Sequence, residues 1–270
     1  MNPTWKTIIT RGSSINYLIV GEGPVAFLIH GFAEDHSIWE SQLIALRNHY
    51  CCIVPDLFGS GNSKSLNETR ITSMDDLARC MYEILVAENV TQAVVFGHSM
   101  GGYIAMAFAA LFPKCLLGLG LIHSTSYADS EEKKTMRRKI MRYWEIHGSK
   151  ETQKNSVPGL FAEQNRNMPQ VKTQIAIAEN IRTEDMMGYY ALMIDRPDRS
   201  QILKEIKTPV LIVAGKLDPA IPYEQNIAQS IIPDNCEIQL LQHSGHMGMI
   251  EEKDKINQIL TGFMARILER

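Results

Sequence analysis

Short apolar runs alternate with stretches of helical periodicity along this chain, and that alternation limits its folds more than any other feature. Eight runs read as strands: Thr4–Thr10, Ile15–Val20, Val25–Ile29, Cys51–Val54, Ala93–Phe96, Leu116–Ile122, Val210–Ala214 and Glu237–Leu241. They are too short for helices and are bounded by turn formers. Arg11-Gly12-Ser13-Ser14, between the first two, is a hairpin signal. Helical segments separate the later runs, which is the pattern of a mostly parallel α/β sheet. Ser73, followed three residues later by Asp76, has the form of a capping box and opens a helix over Met74–Ala87. Pro222 suits the first position of a helix over Tyr223–Ile231. Ile256, Ile259, Leu260, Phe263, Met264 and Ile267 form the apolar stripe of a final amphipathic helix.

The alternation stops between Ile122 and Val210. Ser130 caps a helix through Ile146 that Gly148 ends, Pro169 opens another to about Ile181, Thr183-Glu184-Asp185 starts a third to Leu192 or beyond, and Ser200–Lys204 is a short fourth. A helical insertion between two strands reads as a cap over a site. The expected organisation is a core of residues 1–125 and 206–270 carrying a cap of residues 126–205. The 270 residues are 45% hydrophobic and 21% charged with a net charge of -3. That balance excludes a strongly basic nucleic-acid or membrane-surface protein as the default. Ala93–Phe112 is apolar enough to imitate a membrane span, but it contains His98, Ser99 and three glycines and reads as strand, turn, helix. Met1–Lys6 has no apolar stretch suited to a signal peptide, and the five cysteines show no C-x-x-C spacing. Both point to reduced thiols and a cytoplasmic location.

Chemistry concentrates in Gly97-His98-Ser99-Met100-Gly101. This G-x-S-x-G follows the run Ala93–Phe96 and precedes a small-residue helix over Gly102–Leu111, the setting a nucleophile elbow requires. A serine hydroxyl needs a base, and the base needs a carboxylate to fix its tautomer. His246 lies in the glycine-rich loop Ser244-Gly245-His246-Met247-Gly248, and Asp218 follows the strand Val210–Ala214. The order Ser99, Asp218, His246 suits such a sheet. An oxyanion needs two backbone donors. Met100, directly after the serine, and Phe32, in His30-Gly31-Phe32, are the candidates.

With these pieces in view the chain resembles the α/β-hydrolase superfamily over essentially its whole length. The resemblance rests on His30-Gly31-Phe32, Asp56-Leu57-Phe58-Gly59-Ser60-Gly61-Asn62-Ser63, Gly97–Gly102, Gly215–Asp218 and Gly245-His246. It implies an eight-stranded, mostly parallel sheet flanked by helices, with a helical cap after the sixth strand. It implies Ser99, Asp218 and His246 as catalytic residues, Phe32 and Met100 as the oxyanion hole, and hydrolysis of a carboxylic ester, lactone or thioester through an acyl-enzyme. Activity should then fall as acid protonates the base. Haloalkane dehalogenases and capped epoxide hydrolases carry aspartate where this chain has Ser99, and dienelactone hydrolases carry cysteine. The menaquinone-pathway synthase of this fold has arginine where this chain has Gly102. C–C bond hydrolases and cofactor-free perhydrolases use the same residues and stay open. So does a ligand-sensing receptor with negligible turnover, because Gly31–Trp39 is similar to both small capped esterases and hydrolase-like hormone receptors.

Competing readings exist for single residues. Asp129 is the alternative acid and His243 the alternative base. His30 is read as supporting the oxyanion turn, His98 as packing, and Asp56 as a hydrogen-bond anchor. No metal is expected, since His243 and His246 have no third ligand at metal spacing. No cofactor is expected, since Gly59-Ser60-Gly61 lacks the third glycine of a dinucleotide fingerprint. Lys133, Lys134, Arg137, Arg138, Lys139 and Arg142 read as a solvated helix face, or else as an attractor for an anionic substrate. Met136, Met141, Met168, Met186, Met187 and Met193 read mainly as core, with some lining an adaptable pocket for an apolar acyl or aryl group. The expected partner is that small molecule, with no nucleic acid and no membrane, and the oligomeric state is left open.

Overall fold

The computed structural model describes residues 2–269. In chain order it contains β1 (Thr4–Thr10), β2 (Ser13–Val20), β3 (Val25–Ile29), α1 (Glu40–Leu46), β4 (Cys51–Pro55), α2 (Met74–Ala87), β5 (Ala93–His98), α3 (Met100–Leu111) and β6 (Leu116–Ile122). The helices α4 (Glu131–His147), α5 (Lys150–Leu160), α6 (Pro169–Asn180), α7 (Thr183–Asp195) and α8 (Ser200–Glu205) follow. The chain closes with β7 (Val210–Gly215), α9 (Tyr223–Ser230), β8 (Cys236–Leu241), α10 (Gly248–Glu251) and α11 (Lys253–Leu268). The eight strands form one sheet in the order β1-β2-β4-β3-β5-β6-β7-β8. Only the β1–β2 and β2–β4 pairs are antiparallel. All other neighbours run parallel.

Burial explains the strand order. β3, β5 and β7 bury every residue, as central strands covered on both faces do, whereas β1 is largely exposed at the edge. Successive side chains alternate between two helical layers. Phe27, Ile29, Val95 and Ile212 pack with Leu77, Met81, Ile84 and Phe108 of α2 and α3. Ala26, Leu28, Phe96 and Val213 pack with Leu46, Ile256, Leu260 and Phe263 of α1 and α11. Ser73 caps α2 as anticipated, accepting from the Asp76 amide at 3.2 Å while Asp76 Oδ2 accepts from the Ser73 hydroxyl at 3.1 Å. Ala93–Phe112 is strand, turn and helix, and among the described residues no helix is long and apolar enough to cross a membrane. All five cysteines are free thiols.

Local chemistry moves some boundaries. The β1–β2 turn is shorter than the sequence suggested, because Ser13 and Ser14 already pair with Thr10 and Ile9. Only Arg11 and Gly12 turn, with φ of 51° and 86°, the two left-handed residues that match a hairpin's twist. Pro222 stands at the extended N-cap of α9, one residue before its expected place, and α9 ends at Ser230. α1 and α5 were not anticipated. α5 is polar, carries Pro158 in its last turn, and buries only Gln153 and Val157, so no periodic stripe marks it.

The five helices α4 to α8 form the insertion between β6 and β7. Two carboxylates fasten it to the sheet-bearing part. Asp185 Oδ1 accepts from the Ser65 hydroxyl at 2.6 Å and the Leu66 amide at 2.8 Å, while the Tyr189 hydroxyl donates to Phe58 O at 2.7 Å. Glu251 Oε2 accepts from the Ala162 amide and from Asn165 Nδ2, both at 2.8 Å. Because Asp185 is almost fully buried, its loss would strand a buried amide and hydroxyl. Asp185→Ala should lower stability by about 1–3 kcal/mol, read from urea unfolding of the purified variant.

Candidate active site

The sequence around Ser99 permits a turn that most sequences cannot make. Ser99 has φ 50° and ψ -117° between the end of β5 and the start of α3. A Cβ on Gly97 would lie 2.3 Å from Gly101 O, and one on Gly101 would lie 2.3 Å from Ile29 O. Only glycine fits at either flank. The turn is braced by Ser99 N donating to Ile122 O at 3.0 Å and by the Ser124 hydroxyl donating to Ser99 O at 2.7 Å. Ser99 is half-buried among fully buried neighbours. Met100 is the first residue of α3, so its amide has no intrahelical acceptor.

The loop after β3 closes on the same point. An ideal Cβ on Gly31 would lie 3.1 Å from Ser99 Cβ, which sets Phe32 beside the elbow. His30 fixes this turn, as expected of it. Its Nε2 accepts from the Leu57 amide at 2.9 Å, so Nδ1 carries the proton and donates to Gly31 O at 2.8 Å. Asp56 is the anchor expected, accepting from His36 N at 2.9 Å, His36 Nδ1 at 2.7 Å and Asn62 N at 2.9 Å.

Asp218 and His246 meet at the carboxyl ends of β7 and β8. His246 Nδ1 lies 3.0 Å from Asp218 Oδ1 and 2.9 Å from Oδ2. A carboxylate only accepts, so Nδ1 carries a proton and donates it to Asp218. Oδ1 also accepts from the amides of Ala220 at 2.8 Å and Ile221 at 3.0 Å. Burial alone would raise the pKa of Asp218. The charge of His246 and the hydrogen bonds from His123 and His246 outweigh it and hold the group well below the ordinary carboxylate range. The His246 loop is held by Glu251 Oε1, which accepts from the amides of Gly245 at 2.9 Å and Met247 at 3.1 Å, and by the His246 amide donating to Leu160 O of the insertion at 2.7 Å.

His123 is a participant that the sequence reading missed. Its Nδ1 donates to Asp218 Oδ2 at 3.2 Å, its φ is 47°, and its buried Nε2 has no hydrogen-bond partner among the described residues. Burial pushes its pKa down, so it stays neutral. Its place at the carboxyl end of β6 was the available signal. Potential ligand atoms of His123, Asp218 and His246 lie within 4.8 Å of one another, a cluster that spacing along the chain did not reveal. Both Nδ1 atoms are engaged with the one carboxylate they would have to share with an ion. Asp129 is committed elsewhere, to Arg137 Nε at 2.7 Å and Arg196 Nη2 at 3.0 Å. His243 is exposed and offers only its backbone to the Gln164 and Asn165 side chains and to Glu252.

A cavity of about 180 Å³ lies between the insertion and the loops after β3 and β8, lined in part by Phe32, Ile140, Val157, Leu160, Tyr190 and Met247; Ser99, Asp218 and His246 are not among its lining residues. The Phe32 ring sits 4.8 Å from Tyr190, and Arg137 lies over the other ring system, 4.8 Å from the Tyr190 centroid. Arg137 is thus buried, unlike the fully solvated face read for its run. None of the six methionines of the insertion is among the lining residues, and Met247 from the His246 loop is.

A family described as the alpha/beta hydrolase fold matches residues 24–253. The chain belongs to the α/β-hydrolase family. Among this hydrolase's relatives, Lipase 1 of Psychrobacter immobilis is 26% identical over 250 residues, 86% of this chain and 74% of the lipase. RutD, a candidate carbamate hydrolase of Serratia proteamaculans, is 23% identical over 90% of this chain and 91% of its own. A thermophilic esterase from Thermogutta terrifontis superposes with a TM-score of 0.91 at 25% identity, covering 98% of this chain and 99% of the esterase.

The hydrolase's buried carboxylate generates a direct test. Asp218→Ala would leave two histidine and two amide donors without their acceptor and should cost about 3 kcal/mol near neutral pH, measured by denaturant unfolding. Because the folded pKa of Asp218 is depressed, its contribution is present above about pH 4, the unfolded value, and is lost as pH falls through the folded one.

Proposed function

We propose that this α/β-hydrolase is a serine carboxylic-ester hydrolase. The observation that carries the reading is the strained, glycine-flanked turn at Ser99 (φ 50°) together with an oriented His246–Asp218 pair, whose His246 backbone oxygen lies 3.0 Å from Nε2 of the adjoining His98. Ser99 Oγ attacks the ester carbonyl carbon while His246 Nε2 takes its proton. Asp218 holds the Nδ1–H and stabilises the imidazolium. The amides of Met100 and Phe32 receive the oxyanion, the first from the start of α3 and the second from the turn that His30 and Gly31 shape. His246 then protonates the leaving alcohol. Water, deprotonated by His246, releases the acid and restores Ser99.

In this reading, residues 126–205 act as the cap of a core made from 1–125 and 206–270. The cavity beneath it takes the acyl or aryl part of the substrate. At about 180 Å³ it is smaller than the ~300–1,000 Å³ of ordinary ligand pockets, which favours a short group. The esterase and lipase names among the relatives support ester chemistry.

Steady-state hydrolysis of p-nitrophenyl acetate, butyrate and octanoate tests the reading. Wild-type protein should turn over many cycles and prefer the two shorter esters. Ser99→Ala should lose at least about 10³-fold in kcat. Equal rates in the variant, or a single burst without turnover, would refute the proposal.

A further inference from the structure

Next to Ser99 lies a buried pair that the proposed reaction does not use, its Glu34 also bordering the cavity. His98 is fully buried and the Glu34 side chain is only 5% exposed. His98 Nδ1 is 2.9 Å from Glu34 Oε2, and His98 Nε2 is 3.0 Å from the backbone oxygen of His246. Glu34 Oε2 also accepts from the Gly31 amide at 2.6 Å. Both ring nitrogens therefore face oxygens that only accept when Glu34 is ionised. A neutral imidazole has one N–H and would set a lone pair against one of those oxygens. Each contact is satisfied when His98 is an imidazolium and Glu34 a carboxylate.

We infer that the Glu34–His98 ion pair is the positioning element of the Ser99 site. It ties three separate segments at the residues adjoining the working atoms. Gly31 precedes the Phe32 amide, His98 precedes Ser99, and the His246 carbonyl belongs to the base itself. The β3–β5 ladder already joins the first two loops at Ile29 and Gly97, and the pair adds the tie to the third, so a shift in the pair displaces the base relative to nucleophile and oxyanion donor. The inference rests on the roles proposed for Ser99, His246 and Phe32.

The electrostatics agree with the geometry. Burial would raise the pKa of Glu34, but the charge and hydrogen bond of His98, with the hydrogen bond from the Gly31 amide, carry it below its usual value. Burial would lower that of His98, but Glu34, the His246 carbonyl and Asp218 carry it above. The titratable groups facing His98 are Glu34 from the segment after β3, His123 from the end of β6, Asp218 after β7, and His246; His30 faces Glu34. The contribution of His98 is complete below about pH 6.5 and is lost as pH rises through its elevated pKa. That of Glu34 is complete above about pH 4.3 and is lost as pH falls through its depressed one. Both shifts favour the ionised pair, and kcat should fall on the alkaline side as His98 gives up a proton and one tether.

Two measurements test this. In Glu34→Gln, kcat for p-nitrophenyl butyrate should drop by about 10- to 100-fold with KM changed less than about threefold, and the alkaline limb should move toward neutral pH by at least about one unit. A kcat within about twofold of wild type in folded Glu34→Gln, or an unmoved alkaline limb, would overturn the inference. The second measurement needs no variant. In nitrogen-15 NMR of the wild-type protein, the His98 ring, assigned through its proximity to Gly31, should stay doubly protonated to higher pH than an ordinary histidine. A His98 ring that loses its second proton at or below the pH of an ordinary histidine would also overturn it. Ser99→Ala separates the two layers: full activity in that variant refutes the serine mechanism, while the protonation state of His98 is read independently of it.

Discussion

The architecture of the site depends on how closely the backbone of α3 approaches β3 and β5. Ser99 can hold its left-handed conformation only because Gly97 and Gly101 leave no side-chain atoms between the turn, Gly101 O and Ile29 O. Strain of this kind persists where surrounding structure over-determines it. Here the surroundings are the fully buried strands β3 and β5 and the hydrogen bonds from Ser99 N and to Ser99 O. The same contact that forces the serine outward draws the Gly31 turn against it, so one close approach arranges both.

Around that point the fold buries an unusual density of titratable groups. His30, Glu34, His98, His123, Asp218 and His246 are all nearly inaccessible to solvent. Uncompensated burial of such groups is costly. The structure compensates by giving each carboxylate several donors and each histidine a fixed tautomer or charge. Burial holds His123 neutral, His30 has one nitrogen accepting and one donating, and the partners of His98 favour its charged form. Chemically similar side chains within a few ångströms of one another are thereby assigned different protonation states.

The insertion belongs to this arrangement. Glu251 grips Ala162 and Asn165 with one oxygen and the amides on either side of His246 with the other. The position of the helices above the cavity and the position of the base loop are set by one carboxylate. Asp185 secures the opposite side of the insertion on the loop at Ser65 and Leu66.

Eight strands, the helical insertion and the elbow were legible along the chain, because periodicity and glycine flanks are local properties that short-range sterics enforce. Asp218 and His246 were legible because each follows an apolar strand at the sheet's carboxyl edge. Other features left no such trace. α5 has no apolar stripe, since it is held by contacts with α6 and the loops beneath it. Arg137 sits in a cationic run, and only the packing of Asp129 and Tyr190 turns it inward. Glu34 and His98, 64 residues apart, and His123 and Asp218, 95 apart, become partners solely because parallel strands bring their loops to one edge. The sequence by itself determined the strand pattern, the turn at Ser99 and the identity of the groups available for chemistry. Which of them share a proton, which stay charged and what space stands above them were decided by the tertiary structure, because desolvation and hydrogen-bond geometry act through distances that chain order does not contain.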